Sequence, residues 1–231
     1  MNSPEAPWTG ENQRAQLTGF TRFRAILWRR SLFLWEAWTI GRSGWYWKLR
    51  KRQRQAFQGL SLHDKSRLSQ DSDIFGETPL STVQSLLKLC RKLQPEHPRD
   101  FVDLGCGNGT PCFAAAQLGY RTLGYELERS WVEACALVGR QMEWPCRFEC
   151  EDFFGARWPE PALVFVVLTA FSLDLREKLW AKFRAIGPGS LFLLGDGEPP
   201  PDFEVMWTGK LPVYWGIIVF SIARIKDEDG E

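Results

Sequence analysis

The residues best suited to chemistry fall in one short run. Asp103-Leu104-Gly105-Cys106-Gly107-Asn108-Gly109 reads D-x-G-x-G-x-G. Glycines there let the backbone turn sharply and approach a ligand closely. Thr110–Leu118, alanine-rich, reads as a helix, whose first free N–H groups would face the loop and could dock a carboxylate. Two more acids follow: Glu126, 17 residues after Gly109, and Asp152, 26 residues after Glu126 with Phe153 beside it. A carboxylate at Glu126 can accept both hydroxyls of a ribose. An acid next to an aromatic ring suits the amino group and the face of an adenine. Taken singly, each feature has a plainer use: the loop as a turn, Glu126 as a solvated strand end, Asp152 as a helix cap.

A dinucleotide would use the same loop and the same Glu126. Its fingerprint is G-x-G-x-x-G, however, and here the third glycine arrives one residue early. Asp103 would also repel a pyrophosphate, whereas it suits the ammonium of an amino acid. An ammonium partner, a ribose acceptor and an adenine acceptor together describe S-adenosyl-L-methionine. The expected cofactor contacts are therefore Asp103, Gly105, Gly107, Gly109, Glu126, Asp152 and Phe153.

These residues need strand ends to hold them. Phe101–Leu104 reads as a buried strand, preceded by a helical segment at Leu80–Leu93. Arg121–Glu126 is a second strand, Ser130–Gln141 a helix and Arg147–Cys150 a third strand. Ala162–Leu168, apolar throughout, is a fourth strand buried on both faces. Ser172 caps a helix running to Ala185, with Asp174 in its first turn. Gly187-Pro188-Gly189 turns into a fifth strand, Ser190–Leu194. Two β-rich runs, Phe203–Thr208 and Val213–Ile225, flank Gly209–Pro212 and suit an antiparallel pair. The expected fold class is α/β: a doubly wound, mostly parallel seven-strand sheet, a C-terminal antiparallel strand pair and an N-terminal helical extension. Ligands of such sheets bind at the carboxyl ends of the strands, where the acids above fall.

The 231 residues suit one domain with an appendage. Hydrophobic residues make up 44% and charged residues 25%, which excludes a mostly disordered chain, a collagen-like repeat and a disulfide miniprotein. Six cysteines include no C-x-x-C pair, and there are only two histidines, so no metal site is expected and reduced thiols fit a cytoplasmic setting. The net charge of +1 hides a division. Residues 1–54 hold eleven Lys and Arg against three Asp and Glu, and six of the twelve tryptophans. The expected units are a basic, Trp-rich helical head over 1–70 and a body over 71–231. No signal peptide is expected, and no apolar run approaches the roughly 20 residues of a spanning helix.

Within the head, Leu17, Phe20, Phe23, Leu27, Leu34 and Trp38 share one helical face, and Gly41 and Gly44 break the pattern before Trp45–Leu62. The head has three readings: a cap packed on the body, a peripheral membrane contact with Trp at the interface and Arg on anionic headgroups, or a nucleic-acid grip. The last lacks any accompanying motif.

On the segments Phe101–Gly109, Gly124–Glu128, Glu151–Phe154 and Gly187–Ser190, residues 100–225 resemble a class I, seven-strand S-adenosylmethionine-dependent methyltransferase. The upstream segment Asp73–Pro79 resembles one found in seven-strand histone-lysine methyltransferases, with Phe75 where those have Tyr. It also resembles one in lysine methyltransferases acting on an ATP-synthase subunit. In both groups the segment closes over the cofactor, which implies contacts from Glu77 and Thr78. The resemblance implies methyl transfer, with a protein lysine as acceptor; the alternatives are a small-molecule methyltransferase or a cofactor-binding scaffold without turnover. Phe75, Thr169 and Phe171 are candidates to line the acceptor pocket, and no catalytic base is assigned. Relatives that methylate base amino groups carry Asn/Asp-Pro-Pro-Tyr/Phe after the fourth strand. Leu168–Ser172 has neither the proline nor the amide, which counts against methylation of base amino groups.

Overall fold

The computed structural model describes residues 19–60, 76–186 and 189–226, with side chains from Leu27 onward. Leu17, Phe75, the 70/71 boundary and Gly187-Pro188 lie outside the described residues, as do the side chains of Phe20 and Phe23. The described helices are α1 (Gly19–Thr39), α2 (Gly44–Ala56), α3 (Leu80–Leu93), α4 (Thr110–Gln117), α5 (Arg129–Met142) and α6 (Leu173–Ala185). The strands are β1 (Asp100–Leu104), β2 (Arg121–Glu126), β3 (Cys146–Cys150), β4 (Leu163–Val167), β5 (Leu191–Gly195), β6 (Phe203–Val213) and β7 (Gly216–Ile225).

Among the described residues the strands form one sheet in the order β3-β2-β1-β4-β5-β7-β6. The β1/β2, β1/β4, β2/β3 and β4/β5 pairings are parallel, whereas β5/β7 and β6/β7 are antiparallel. This is the expected α/β class. The central strands alternate their side chains between two cores. Phe101, Leu163 and Phe165 join α3, α4 and α5 on one side; Val102, Leu104, Val164 and Val166 join α6 on the other. Burial on both faces explains why these strands read as unbroken apolar runs. Ser172 caps α6, its Oγ accepting from the Leu175 N–H, as the sequence pattern predicts.

One expectation needs correction. The β6–β7 turn does not lie at Gly209–Pro212. Strand β6 runs through that segment to Val213, and Gly209 and Pro212 pair with Phe220 and Ile217 of β7. The chain reverses at Tyr214-Trp215. Strand β6 is the sheet edge, where a proline without an N–H costs little.

For α1 the structure settles an orientation that the sequence left open. The face carrying Leu27, Leu34 and Trp38 exists, but it points away from the body: Leu34 is 66% exposed and Trp38 69%. The inward face carries Leu32 and the fully buried Glu36. Polar bonding decides the orientation. Glu36 Oε1 accepts from the Ser81 N–H (3.0 Å) and hydroxyl (3.2 Å), and Oε2 from Arg50 (2.8 Å) and Tyr214 (3.0 Å). The Trp28 indole N–H donates to the Val213 carbonyl at 2.8 Å. From α2, Tyr46 and Leu49 enter the same core as α3 and α4.

Candidate active site at the carboxyl ends of β1 and β2

Strand β1 ends in the glycine loop, and β2 ends at Glu126 directly beside it. The Gly105 and Cys106 N–H groups donate to the Tyr125 carbonyl at 3.0 and 2.8 Å, which fastens the loop to β2. Gly109, at φ 74°, is the left-handed residue from which α4 departs. A Cβ there would press on Phe113, Cys135 and Phe148 at 2.9–3.1 Å, so only glycine fits. Gly105, at φ 76°, has open space where a Cβ would be, leaving its backbone accessible to a ligand.

Asp103 is 2% exposed and shares the α4 side of β1 with Phe101. Its Oδ2 accepts a long, weak bond from the Cys112 thiol at 3.8 Å. Burial pushes its carboxyl well above the usual range; the Cys112 contact opposes this and the nearby Glu126 adds to it. So little support for a buried carboxyl favours its neutral form. Glu126 accepts from the Gly107 N–H on Oε2 (3.0 Å), and from Leu127 (2.7 Å) and Glu128 (3.2 Å) on Oε1. Three bonds leave one of a carboxylate's roughly four acceptor positions open, on Oε2. Asp103, Gly105, Gly107, Gly109 and Glu126 are thus brought together. Buried Cys106 and Cys112 have thiols held far above their ordinary range, Cys106 by its bond to Cys135 and by burial, Cys112 by burial. They are packing groups.

The remaining candidates sit on the rim. Asp152 is exposed, and its Oδ1 accepts from the Phe154 N–H at 2.9 Å, making a local turn. Phe153 stacks on Phe171 at 6.2 Å and 10°, which joins the loops after β3 and β4. Thr169 follows β4, and its buried hydroxyl has no hydrogen-bond partner among the described residues. Thr78 is buried at the start of α3. Glu77 Oε1 accepts from Arg50 (2.8 Å) and from the Thr110 hydroxyl at the head of α4 (3.1 Å).

Several supporting residues were not identifiable from sequence. Arg50 bridges Glu36, Glu77 and Tyr214, and burial works against its charge less than those partners favour it. Gln53 donates to the Asn108 carbonyl (3.3 Å) and the Thr110 hydroxyl (3.1 Å), so α2 clamps the glycine loop from outside. Lys182 ties the loop of Asp152 and Phe153 through the Phe154 and Ala156 carbonyls, at 2.9 and 2.7 Å. Arg176 likewise ties the loop of Thr169 and Phe171, through the Leu168 and Phe171 carbonyls. Each is one polar residue among many, and nothing local distinguishes it.

No protein-family model and no curated protein matches the chain. Solved structures do match. The chain has the seven-strand fold of the class I S-adenosylmethionine-dependent methyltransferases. It is similar to a Listeria monocytogenes protein assigned to that class (TM-score 0.55, 11% identity, 79% of this chain and 69% of that one). It is also similar to an RNA methyltransferase from Salinibacter ruber in complex with S-adenosyl-L-homocysteine (0.50, 20%, 67% and 97%). A third match is the magnesium protoporphyrin IX methyltransferase of Synechocystis with bound S-adenosylmethionine (0.50, 12%, 76% and 90%).

Proposed function

We propose that this protein is an S-adenosylmethionine-dependent methyltransferase. The observation that carries the reading is the meeting of a nearly unsupported buried Asp103, an open glycine backbone at Gly105 and the acceptor Glu126 at adjoining strand ends. This donor and acceptor set fits the cofactor: Asp103 would take its ammonium, Glu126 its ribose, and Asp152 with Phe153 its adenine. When bound, that group would supply an electrophilic methyl carried on a sulfonium sulfur. The chain's own work is then positioning, which can supply effective molarities of roughly 10⁵ M or more. Arg176 and Lys182 hold the β4 and β3 loops, and Gln53 and Glu77 hold the glycine loop and α4. No general base is required of the protein where the acceptor arrives as a nucleophile.

A protein lysine as acceptor rests on the Asp73–Pro79 resemblance alone. Of that segment, Glu77 is engaged by Arg50 and Thr110, and the other charged groups lining the space beside it, Arg29, Arg50, Lys51 and Arg54, are cations. The geometry therefore does not support a lysine, and a small-molecule acceptor is the better reading.

Calorimetric titration of S-adenosylmethionine and, separately, NAD tests the proposal. The methyl donor binds and NAD does not. Glu126→Gln, which removes the charge but keeps an acceptor, weakens binding about tenfold, the worth of one charge-assisted hydrogen bond. Binding of NAD, or of neither, overturns the reading.

A peripheral membrane contact is favoured by one specific observation, the outward apolar face of α1. No helix among the described residues is long and apolar enough to cross a membrane. Leu27, Leu34, Trp35 and Trp38 are exposed on a helix that also carries Arg29 and Arg30, the pattern of a helix lying in an anionic interface. In vesicle sedimentation, replacing Leu34 and Trp38 with Ser lowers binding to anionic vesicles about tenfold. Unchanged sedimentation removes the contact.

A further inference from the structure

A cleft of about 760 Å³ lies between the helical head and the glycine loop. This is the size of a small-molecule site. Its floor includes Asn108 of the loop, whose carbonyl Gln53 holds. Its walls are aromatic. Phe33 meets Trp47 edge-on at 6.3 Å, and Phe57 meets Trp131 edge-on at 5.8 Å. Such pairs make broad apolar surfaces that would line a ligand's body.

The charges are one-sided. Four cations, Arg29, Arg50, Lys51 and Arg54, face one carboxylate, Glu77. Arg50 is already paired with Glu77 and with Glu36, each at 2.8 Å. Among the described residues, no carboxylate pairs with Arg29, Lys51 or Arg54. Scattered surface cations are ordinary. Three unpaired ones around an aromatic concavity, beside a loop built for cofactor binding, are a recognition pattern. An incoming ammonium would meet repulsion there, and an incoming anion would meet attraction focused by low-dielectric walls.

We propose that this cleft binds an amphiphile with an anionic head, phosphate or carboxylate, and an aliphatic or aromatic body, and that this molecule is the methyl acceptor. The first part stands on the cleft alone; the second rests on the methyltransferase reading above. The head lies among Arg29, Lys51 and Arg54, and the body lies against Phe33, Trp47, Phe57 and Trp131.

Trp47 and Trp131 provide the readout. Decyl phosphate, kept below its micellar concentration, is titrated into the full chain while tryptophan emission is followed. A saturable change is expected, with inorganic phosphate much weaker and decyltrimethylammonium without effect. The double variant Lys51→Glu with Arg54→Glu weakens decyl phosphate binding about tenfold or more. Its thermal midpoint and its calorimetric affinity for S-adenosylmethionine stay at the wild-type values, which shows that the fold and the cofactor site are intact. The proposal is overturned by no saturable response, by equal binding of the ammonium amphiphile, or by equal binding to the variant. Inorganic phosphate binding as tightly as decyl phosphate overturns the amphiphile class. A response to phosphatidylglycerol vesicles but not to the monomeric amphiphile also overturns the cleft, and moves the anion preference to the outward face of α1. Decyl phosphate binding without any binding of S-adenosylmethionine keeps the anion site and overturns its role in methyl transfer.

Discussion

Replacing Arg50 with Met is expected to destabilise the fold by about 3–5 kcal/mol, because it leaves a buried charge without its partner. Glu36 is fully buried, and its carboxylate would retain only the neutral donors of Ser81 and Tyr214. The methionine keeps the length of the stem, so the loss is electrostatic rather than a cavity. For a chain of this size the thermal midpoint should fall on the order of 10 °C. Adding Glu36→Gln to Arg50→Met should recover much of that loss, since the stranded charge goes with it. A double variant no more stable than Arg50→Met would show that the pair is not the cause. Arg50→Met should also weaken S-adenosylmethionine binding. It frees Glu77 from one of its two ties at the head of α4.

The second large effect concerns Asp103, and its two parts have opposite signs. Asp103→Asn should weaken S-adenosylmethionine binding about a hundredfold, because it removes one partner of a buried ion pair. The same change should stabilise the ligand-free protein. Burial raises the Asp103 carboxyl above its unfolded value, so the folded state favours the neutral form. The stability that comes from keeping it neutral is complete below the ordinary carboxylate range. It is lost as pH rises through the raised folded value. Asparagine has no such loss, so the variant's advantage in thermal midpoint should widen from acid toward alkaline pH. Wild-type affinity for the cofactor should rise over the same interval, as Asp103 ionises to meet an ammonium. Full affinity in Asp103→Asn would remove this residue from the site. A midpoint gap that narrows with pH would refute the account of its burial.

How much of this could be read in advance depended on the range of the interaction. Asp103, the glycines and Glu126 could be read because a parallel strand and the loop after it are contiguous in the chain. Apolar strands such as Leu163–Val167 and the Ser172 cap were legible for the same local reason. The β6–β7 turn was misplaced because Gly209 and Pro212 carry turn chemistry, and only their edge position makes that chemistry harmless. The orientation of α1 was hidden for another reason. Its outward apolar residues give the stronger periodicity, while its inward face is set by Glu36, whose partners Ser81 and Tyr214 lie 45 and 178 residues away. Arg50 and Gln53 were invisible as site residues for the same cause, since their contacts with Tyr214 and Asn108 span 164 and 55 residues.

Those long spans have a consequence for how the protein comes into being. The turn at Tyr214 leaves the ribosome 178 residues after Glu36. Yet Trp28 bonds Val213, and Glu36 bonds Tyr214. Helix α1 must therefore wait, with Glu36 lacking one of its donors, until the β6–β7 hairpin emerges and closes over it. Pairings across such distances are slow to form. The candidate site, whose outer clamp is α2, is then completed only once the β6–β7 hairpin has emerged. A chain cut before β6 is expected to lack the Val213 and Tyr214 bonds that hold α1, and with them part of that support.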